Sequence, residues 1–536
     1  MPVNLLLNFV DNIYRKNEFQ TESGMHDDYF ESQVWRGQYD MRLNRKNQIL
    51  ELFATIEEGI EYAGYNGGDK AVRMLQECVD GFLFLTDFLG EEHELRDHIQ
   101  KIMDAVHLLL RGDMEDSLFQ YYIEPIKKLM QDFRVKLLHE VKTEVEVAFM
   151  PYKISMWDSL ESIYREAEKD PDCTCYVVPI PYFEKDSTGQ VIKQHYEGND
   201  FPSDINLTPY DAYDFENRRP DIIYIHNPFD QHNTLTMVHP RFFSSNLEQY
   251  TDMLVYVPYY VAGSTETTNM SYLPAYRNIS KIIVQSSTLR DGYLAGGVEA
   301  RKVVDLGSPK LDAMLKAIED HGEAPVEWRE TIQNKKVFLF NTGIADLLSI
   351  DTWFEQTETI LNYFMGHDEH ALIWRPHPLT ENTIKAMRPH LLGAFEMMGE
   401  RLKQSTNVIV DQSSDIYPAV AVSDAMISDY SSVMMQYIMT EKPVLGLLSE
   451  NMTTPGRCYY ADYLGCYFIQ DTSFSQFIEM VEKNEDPKKE ERVQRFLNSV
   501  TNSDGSCGQK IHPFIKNEVI NESLSLFMIN NSLLPV

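Results

Sequence analysis

The sequence predicts a mixed α/β protein in which an all-helical region precedes two successive doubly wound parallel sheets. Three observations predict this class. Up to about residue 142, apolar residues recur at helical spacing and strand patterns are almost absent. From about residue 144, short apolar runs that end in polar or turn residues alternate with helical stretches, and the same alternation begins again near residue 335. Strands that alternate with helices are typical of a parallel sheet covered by helices.

Length, composition and charge narrow the function classes. The chain has 536 residues, which is too long for one ordinary core. It is 43% hydrophobic and 24% charged, as globular proteins are. The formal net charge of −34 repels nucleic acids, so no nucleic-acid partner is expected. To bind an anionic ligand, the protein would need a local positive site that offsets the repulsion from its net negative charge.

Cysteine content and hydropathy bear on the location of the protein. Six cysteines are few for this length and fit a reducing cytoplasm. Cys173 and Cys175 lack a second cysteine or histidine pair at short spacing, so a zinc site is not expected. No window is apolar enough to span a membrane, and residues 1–19 do not resemble a signal peptide. We expect a cytoplasmic protein, with peripheral association at the inner face of the cell membrane left open.

The first predicted domain is the helical region, residues 1–142. Gly67, Gly68 and Gly90 supply breaks between its helices. A packing domain is favoured, with oligomerisation or partner binding as the alternative. One stretch that shows the periodicity contains Ile49, Leu52, Phe53, Ile56 and Ile60.

The second predicted domain, residues 143–320, contains the first parallel sheet. A helix with Ser155 as its N-cap is expected after the first strand, and KVVDLGSPKLDAML closes the series. The expected strands lie in VEVAFMPY, CTCYVVPIPYF, PDIIYIHNP, DMLVYVPYYV and KIIVQSS.

The third predicted domain, residues 321–536, contains the second sheet, and the acidic segment 313–334 joins the two. Facing sheets would leave a cleft at the carboxyl ends of their strands, where ligands bind in open parallel sheets. A final helix at about 514–529 could pack back across the hinge. The expected strands lie in KKVFLFNTG, ALIWRPHP, NVIVDQSS, DAMISDYSS and KPVLGL.

Two strand ends of the second sheet carry polar side chains suited to an anion. In SDYSS, residues 428–432, two adjacent hydroxyls begin a helix. They form either an anion cradle or a simple N-cap, and the segment alone does not decide. In WRPHP, two prolines hold Arg375 and His377 just past a strand. Both segments lie at one sheet edge, so together they predict a diphosphate clamp.

These segments resemble the CDP-glycerol glycerophosphotransferase family of teichoic-acid and capsule synthesis, whose members have a GT-B fold. LGSPKLDAML and VFLFNTG are similar to further elements of that family. The resemblance covers residues 280–450 well and 144–280 only in architecture. It implies a GT-B-like pair of Rossmann-like domains. It also implies transfer of a polyol phosphate, most directly glycerol phosphate, from a CDP-polyol (CDP-glycerol or CDP-ribitol) to a hydroxyl acceptor on a lipid-linked or polymeric glycan, with release of CMP.

The resemblance also implies roles for individual residues. Asp429 would orient its loop or contact the polyol or ribose. The donor diphosphate would be held by Arg375, His377, Ser431 and Ser432. The same cleft would be lined by Asn341, Thr342 and Gly343. An interdomain element would include Ser308, Pro309, Lys310 and Asp312.

One departure from the family concerns the catalytic base. Family members carry a His-Gly-Thr element at the end of a strand where this chain has residues 258–261, Pro-Tyr-Tyr-Val. The preceding strand ends in His226, and Asp230 follows four residues later, so we expect this pair to serve as the base. The alternative is that both are loop residues that satisfy the backbone.

Two other functions remain open at this stage. A GT-B glycosyltransferase that uses a nucleotide sugar would share the diphosphate clamp. A non-catalytic scaffold that binds a nucleotide would explain the missing His-Gly-Thr element. No P-loop, H-E-x-x-H or paired Asp-x-Asp motif occurs, so neither a cofactor nor a metal is expected.

Overall fold

The protein forms two compact units in a computed structural model, one of residues 1–146 with 517–536 and one of residues 147–516. The residues described are 40–66, 68–90, 93–111, 116–186, 188–262, 273–320, 324–429, 431–447 and 465–529. The predicted boundaries at residues 142 and 320 stay predictions. The second unit contains both parallel sheets, except for the beginning of strand β2, Lys142–Phe149, whose residues 142–146 belong to the first unit.

The first unit is helical, as its apolar periodicity predicts. Its helices bury apolar side chains at spacings of three and four along one face, and Phe53 stacks on Phe133 with ring centroids 4.4 Å apart. The short strand β1, Asp40–Arg42, pairs in parallel with Lys142–Glu144 of β2. The described helices of this unit are Leu43–Asn66, Gly68–Leu89, Leu95–Arg111 and Asp116–His139, together with the second half of the helix Cys507–Ile529.

Lys46 is a buried cation in this unit. Its ammonium group donates to the carbonyl of Val141 and the hydroxyl of Thr143, each at 2.9 Å. Burial lowers the pKa of Lys46 to about 8. The lysine therefore satisfies backbone carbonyls just beyond the end of the fourth helix.

The first sheet of the second unit is parallel, with neighbours in the order β2, β6, β8, β9 and β10, and with β3 on the outer side of β2. The chain therefore reverses direction across the sheet between β2 and β6. The strands are β2 Lys142–Phe149, β3 Cys173–Val177, β6 Ile222–Ile225, β8 Met253–Tyr256, β9 Lys281–Val284 and β10 Val303–Asp305. The helices are Glu161–Lys169, Phe215–Arg218, Ser244–Leu247, Ala275–Asn278, Ser287–Ala295 and Pro309–Glu319.

A three-stranded antiparallel sheet, which the sequence patterns did not predict, adjoins the first sheet. Its order is β5, β4, β7, with strands β4 Tyr182–Lys185, β5 Val191–His195 and β7 Thr236–Val238. The predicted single strand CTCYVVPIPYF is two strands, because Pro179 and Pro181 separate β3 from β4.

The second sheet is six-stranded and wholly parallel, in the order β13-β12-β11-β14-β15-β16. Its central strands are nearly continuous apolar runs, as strands covered on both faces are. The strands are β11 Lys336–Thr342, β12 His370–Pro376, β13 Val408–Val410, β14 Ala425–Ser428, β15 Val444–Gly446 and β16 Tyr467–Phe468. The helices are Arg329–Ile332, Ile344–Ser349, Trp353–Met365, Thr380–Met387, Leu392–Leu402, Tyr417–Val422, Ser432–Tyr437, Phe474–Glu482, Lys489–Ser499 and Cys507–Ile529.

The predicted fold class, a helical region followed by two doubly wound parallel sheets, is confirmed by these elements. The predicted N-cap at Ser155 is wrong, because residues Ile154–Ser159 form a 3-10 turn and the α-helix begins at Glu161. The last helix begins seven residues earlier than predicted, at Cys507. Within the described part of the chain, no helix is both long and apolar enough to cross a membrane.

Candidate active site

The carboxyl ends of β11 and β14 form the switch point of the second sheet. From β11 the chain passes to β12 and β13 on one side, and later to β14, β15 and β16 on the other. Strand register places Asn341 beside Arg375 on one flank and beside Ser428 on the other. Ligands in open parallel sheets bind at such a reversal. The predicted donor-binding residues therefore meet where this fold offers a crevice.

A hydrogen-bond network joins the two strand ends. The buried amide of Asn341 donates to the hydroxyl of Ser428 at 3.2 Å and to that of Ser431 at 2.9 Å. The Ser428 hydroxyl in turn donates to the carbonyl of Asp429 at 2.7 Å. Asn341 therefore fixes the start of the loop after β14 and has no spare donor for a ligand.

Asp429, the first residue after β14, is buried. Its Oδ2 accepts a hydrogen bond from the backbone N–H of Gly343, and its Oδ1 has no partner among the described residues. Burial, and next the carboxylate of Asp346, raise the pKa of Asp429 well above its usual range. A Cβ on Gly343 would lie only 3.3 Å from Oδ1. Of its predicted roles, the geometry favours orienting the loop.

The two serines of the SDYSS segment have different surroundings. Ser431 is the N-cap of the helix Ser432–Tyr437, and its hydroxyl accepts from the N–H of Met434 at 3.3 Å. The half-buried Ser432 has no side-chain hydrogen bond to any described residue, so its hydroxyl is available to a ligand. Tyr430 lies outside the described residues.

Arg375 ends β12 with its guanidinium group already occupied. It pairs with the buried carboxylate of Asp411 and donates to the carbonyls of Ser413 and Asp415 at 2.7 and 3.2 Å. These contacts fix the 411–415 loop at the edge of the sheet. A direct role in holding a diphosphate stays a prediction, because binding would require Arg375 to exchange partners.

His377 follows on the same strand end with one nitrogen available. Its backbone N–H donates to the carbonyl of Thr342 at 2.9 Å, and its Nδ1 accepts from the N–H of Leu379 at 3.1 Å. Desolvation by neighbouring groups, and next the cation of Lys153, lower the pKa of His377 to about 4, although its side chain remains accessible to solvent. The imidazole is therefore neutral at neutral pH, and its proton lies on Nε2.

Lys153 is the residue that the sequence analysis missed. It follows the carboxyl end of β2, and its ammonium lies 4.8 Å from the ring centroid of Tyr182 and 5.5 Å from that of Tyr152. Burial lowers the pKa of Lys153, while Glu197 and Glu184 partly oppose this shift. The lysine forms no ion pair with a described residue. The available signal was its position, one residue beyond Tyr152 at the end of a buried strand.

The predicted pair of His226 and Asp230 does not form. Nε2 of His226 accepts from the N–H of Tyr152 at 3.0 Å, so Nδ1 carries the proton and faces the carbonyl of Met156 at 3.0 Å. The ring is 1% exposed, and burial lowers the pKa of His226 to about 3. The Asp230 carboxylate instead accepts from the N–H and hydroxyl of Ser244. The catalytic role stays a prediction, but this geometry is that of two structural residues.

The predicted interdomain element lies between the two sheets. The ammonium of Lys310 contacts both carboxylate oxygens of Asp158 at 2.6 and 2.5 Å, and the same carboxylate accepts from the hydroxyl of Tyr417 at 2.7 Å. Asp312 accepts from the backbone N–H groups of Cys507 and Gly508 at 3.1 and 2.9 Å. It therefore holds the start of the last helix.

Ser308 and Pro309 begin the helix that carries Lys310 and Asp312. Pro309 is its first residue, which suits proline because the first helical N–H needs no partner. Ser308 is 5% exposed, and its hydroxyl has no partner among the described residues.

Two clusters of described side chains have the composition of metal ligands, and both lie at amino ends of strands, away from the crevice. One consists of Asp170, Cys173 and His512. There the ammonium of Lys516 already lies 2.8 Å from Asp170 and neutralises it. The other cluster is Glu369, His370 and Glu482.

Comparison with known proteins finds a family model that is similar to the second half of the chain. Residues 261–517 match the family described as CDP-Glycerol:Poly(glycerophosphate) glycerophosphotransferase. Over 180 residues the chain is 28% identical to the teichoic acid poly(ribitol-phosphate) polymerase of Bacillus spizizenii (strain ATCC 23059 / NRRL B-14472 / W23). That alignment covers 32% of this chain and 26% of the relative, so the chain spans about a quarter of the relative's length.

Among solved structures, the chain is similar to the wall teichoic acid polymerase TagF, with 13% identity, a TM-score of 0.45, and coverage of 76% of this chain and 100% of that one. It is also similar to S. aureus MnaA with UDP, with 14% identity, a TM-score of 0.45, and coverage of 70% and 97%. The family match includes both the WRPHP and the SDYSS segments and confirms the predicted resemblance: residues 261–517 are similar to the CDP-glycerol glycerophosphotransferase family.

Proposed function

We propose that the protein transfers a polyol phosphate, most directly glycerol phosphate, from a CDP-polyol to a hydroxyl group on a growing polymer of the teichoic-acid or capsule type. CMP is the other product. One observation carries the proposal: the two segments that mark the family converge at the switch point of the second sheet, and Lys153, a half-buried lysine just beyond a strand of the first sheet, acts electrostatically on His377 there. On this proposal the acceptor is lipid-linked or polymeric and is met at the cytoplasmic face of the membrane.

The residues that face the crevice suit a diphosphate. Lys153 supplies a positive charge without a paired carboxylate, in a chain whose net charge is −34. His377 supplies a neutral donor at Nε2, and Ser432 supplies a hydroxyl. A buried cation and oriented donors stabilise negative charge best where water is excluded. We therefore assign donor binding to these three side chains, with Arg375 and Asp429 in positioning roles.

The reaction requires one bond to form and one to break. The acceptor oxygen bonds to the phosphorus that carries the polyol, and the bond from that phosphorus to the bridging oxygen breaks. CMP leaves with the electron pair, and the acceptor proton passes to a base. Negative charge grows on the bridging oxygen, and the ammonium of Lys153, which lies close enough to His377 to lower its pKa, can stabilise that charge.

Calorimetry with CDP-glycerol, CDP-ribitol and UDP-N-acetylglucosamine tests the proposal directly. We expect a CDP-polyol to bind and to raise the melting temperature, and we expect CMP to be released when a hydroxyl acceptor is added. Stabilisation by the UDP-sugar alone would overturn the proposal in favour of a glycosyltransferase. Binding of a CDP-polyol without CMP release, with glycerol and poly(glycerol phosphate) both offered as acceptors, would indicate a binding scaffold.

The role of the Lys153 charge in donor binding can be tested with Lys153→Met, which removes the charge and keeps most of the side-chain volume. We expect CDP-glycerol to bind about 10–100-fold more weakly, since a hydrogen bond to a charged group contributes about 1.5–3 kcal/mol. Lys169→Met is the matched control, because Lys169 is 69% exposed and lies on the helix Glu161–Lys169. Equal weakening in both variants would mean that only the net charge matters, and Lys153 would then leave the site.

A further inference from the structure

The small antiparallel sheet places a histidine and a carboxylate side by side at the cleft. His195 on β5 lies directly opposite Tyr182 on β4, so their side chains share one face, and Glu184 lies two residues further along that face. Nε2 of His195 is 2.9 Å from Oε2 of Glu184. The imidazole also stacks on the Tyr182 ring, with centroids 5.0 Å apart and an interplanar angle of 10°.

Contacts beyond the small sheet tie this dyad to the proposed donor site. The other oxygen of Glu184 accepts from the amide of Asn382 at 3.2 Å, and Asn382 lies on the helix that follows His377. The Tyr182 ring that stacks on His195 also contacts the ammonium of Lys153. The dyad thus lies where the first half of the second unit meets the second half, next to the residues that we assign to the diphosphate.

The hydrogen bond to Glu184 fixes the chemistry of the imidazole. A carboxylate can only accept, so Nε2 carries the proton and the lone pair of the neutral ring lies on Nδ1. Nδ1 has no hydrogen-bond partner among the described residues. The side chains of His195 and Glu184 are 26% and 24% exposed, so a substrate hydroxyl can reach the ring.

We propose that His195, oriented by Glu184, is the catalytic base of the transfer, and this inference rests on the function proposed above. Nδ1 takes the proton from the acceptor hydroxyl as its oxygen bonds to phosphorus, and the electron pair of the broken bond leaves with CMP. Glu184 stabilises the imidazolium that forms. The dyad occupies the role that was predicted for His226, whose two nitrogens both have protein partners.

Two further charged groups, Glu197 and Lys153, lie near the dyad of His195 and Glu184. Glu197 lies close by and accepts from the hydroxyl of Tyr182 at 2.7 Å, while Lys153 lies against the same ring. Two carboxylates and one ammonium therefore surround the imidazole. A single, partly exposed hydrogen bond contributes little to stability, so the pair can be tested without unfolding the protein.

The experiment compares three variants of the full chain: His195→Gln, Glu184→Gln and His239→Gln. The matched control is His239, which stacks on Phe183 and so lies on the opposite face of the same small sheet. Calorimetry with CDP-glycerol measures donor affinity. Release of CMP with poly(glycerol phosphate) as acceptor measures turnover and its pH profile. A fourth variant, His195→Gly, is assayed with and without added imidazole.

If the proposal holds, His195→Gln lowers kcat by about a hundredfold or more while donor affinity stays within about twofold of wild type. The acid limb of the pH–rate profile disappears, Glu184→Gln gives a smaller loss, His239→Gln changes neither quantity, and imidazole restores part of the turnover of His195→Gly. Normal kcat in His195→Gln, or equal loss of kcat and donor affinity without rescue, would make the dyad a structural contact. A wild-type protein that binds no CDP-polyol would instead contradict the proposed function itself.

Discussion

The two parallel sheets of the second unit differ in what they offer at their switch points. At the first, between β2 and β6, His226 is buried and both ring nitrogens already have partners in residues 152–156. At the second, between β11 and β14, Ser432 and the Nε2 of neighbouring His377 remain available. The two sheets therefore have similar topology but differ at their switch points. In the first sheet the polar groups of His226 are already hydrogen-bonded within the protein, whereas in the second sheet two polar groups remain available to a ligand.

The difference shows why a polar residue at a strand end is an ambiguous sign. His226 and His377 both follow a buried strand of a parallel sheet, and both have a lowered pKa. What separates them is the number of hydrogen-bond partners that the fold supplies. The first sheet contributes to the cleft through Lys153, just beyond its strand end, and through the adjoining antiparallel sheet.

Replacement of His226 should lower the free energy of unfolding more than replacement of His377, Ser431 or Ser432. In His226→Ala the N–H of Tyr152 and the carbonyl of Met156 lose their partner in a buried site, so we expect about 2–5 kcal/mol less free energy of unfolding. His226→Gln can keep an acceptor and a donor and should cost less. Urea titration measures both. If His226→Ala keeps wild-type stability but loses turnover, the first switch point is catalytic and the comparison is wrong.

The same residue predicts a pH dependence of stability. Folding lowers the pKa of His226 from 6.5 to about 3, so between these values the unfolded chain binds more protons than the folded one. Its contribution is fully present above about pH 6.5 and is lost as the pH falls towards 3. We expect the acid loss of stability to be smaller in His226→Gln by a few kcal/mol. Identical acid titrations of the two proteins would show that His226 does not titrate on unfolding.

His377 provides the complementary test at the open switch point. In His377→Ala we expect donor affinity and turnover to fall at least about tenfold with little change in melting temperature, because the side chain supplies one donor to a charged group. His390→Ala, at an exposed histidine of the same half, is the control. In the ligand-free protein the pKa of His377 is about 4, so donor affinity should vary little between pH 6 and 8. A steep rise in affinity towards pH 6 would mean that His377 binds as a cation.

The local pattern of apolar and polar residues was sufficient to predict the second sheet. It was not sufficient to predict the side-chain contacts at the edge of that sheet. The strands β11, β12 and β14 are apolar runs that end in polar residues, so their common edge could be predicted. The partners of Arg375 could not, because Asp411 lies on another strand end and only the tertiary fold brings the two together. The dyad of His195 and Glu184 was missed for a different reason: it is a local contact of the β4–β5 hairpin, and the exposed strand β5 has no buried apolar face that would mark it as a strand.

The smallest expected effects separate the two hydroxyls of the SDYSS segment. Ser431 accepts from the N–H of Met434 and the amide of Asn341, so Ser431→Ala should lower the free energy of unfolding by about 0.5–2 kcal/mol. Ser432 has no such partner among the described residues, so Ser432→Ala should leave stability within about 0.5 kcal/mol. Its loss should instead weaken CDP-glycerol binding about 2–10-fold, at the lower end of what one hydrogen-bond donor contributes.

Measured side by side, the two serine variants decide between the alternatives that the sequence left open for this segment. If stability falls only in Ser431→Ala and donor affinity falls mainly in Ser432→Ala, the N-cap and the anion site are the work of adjacent residues. Loss of stability in both variants, with donor affinity unchanged, would make the segment a cap alone. The second switch point would then be as closed as the first, and donor binding would rest on Lys153 and His377.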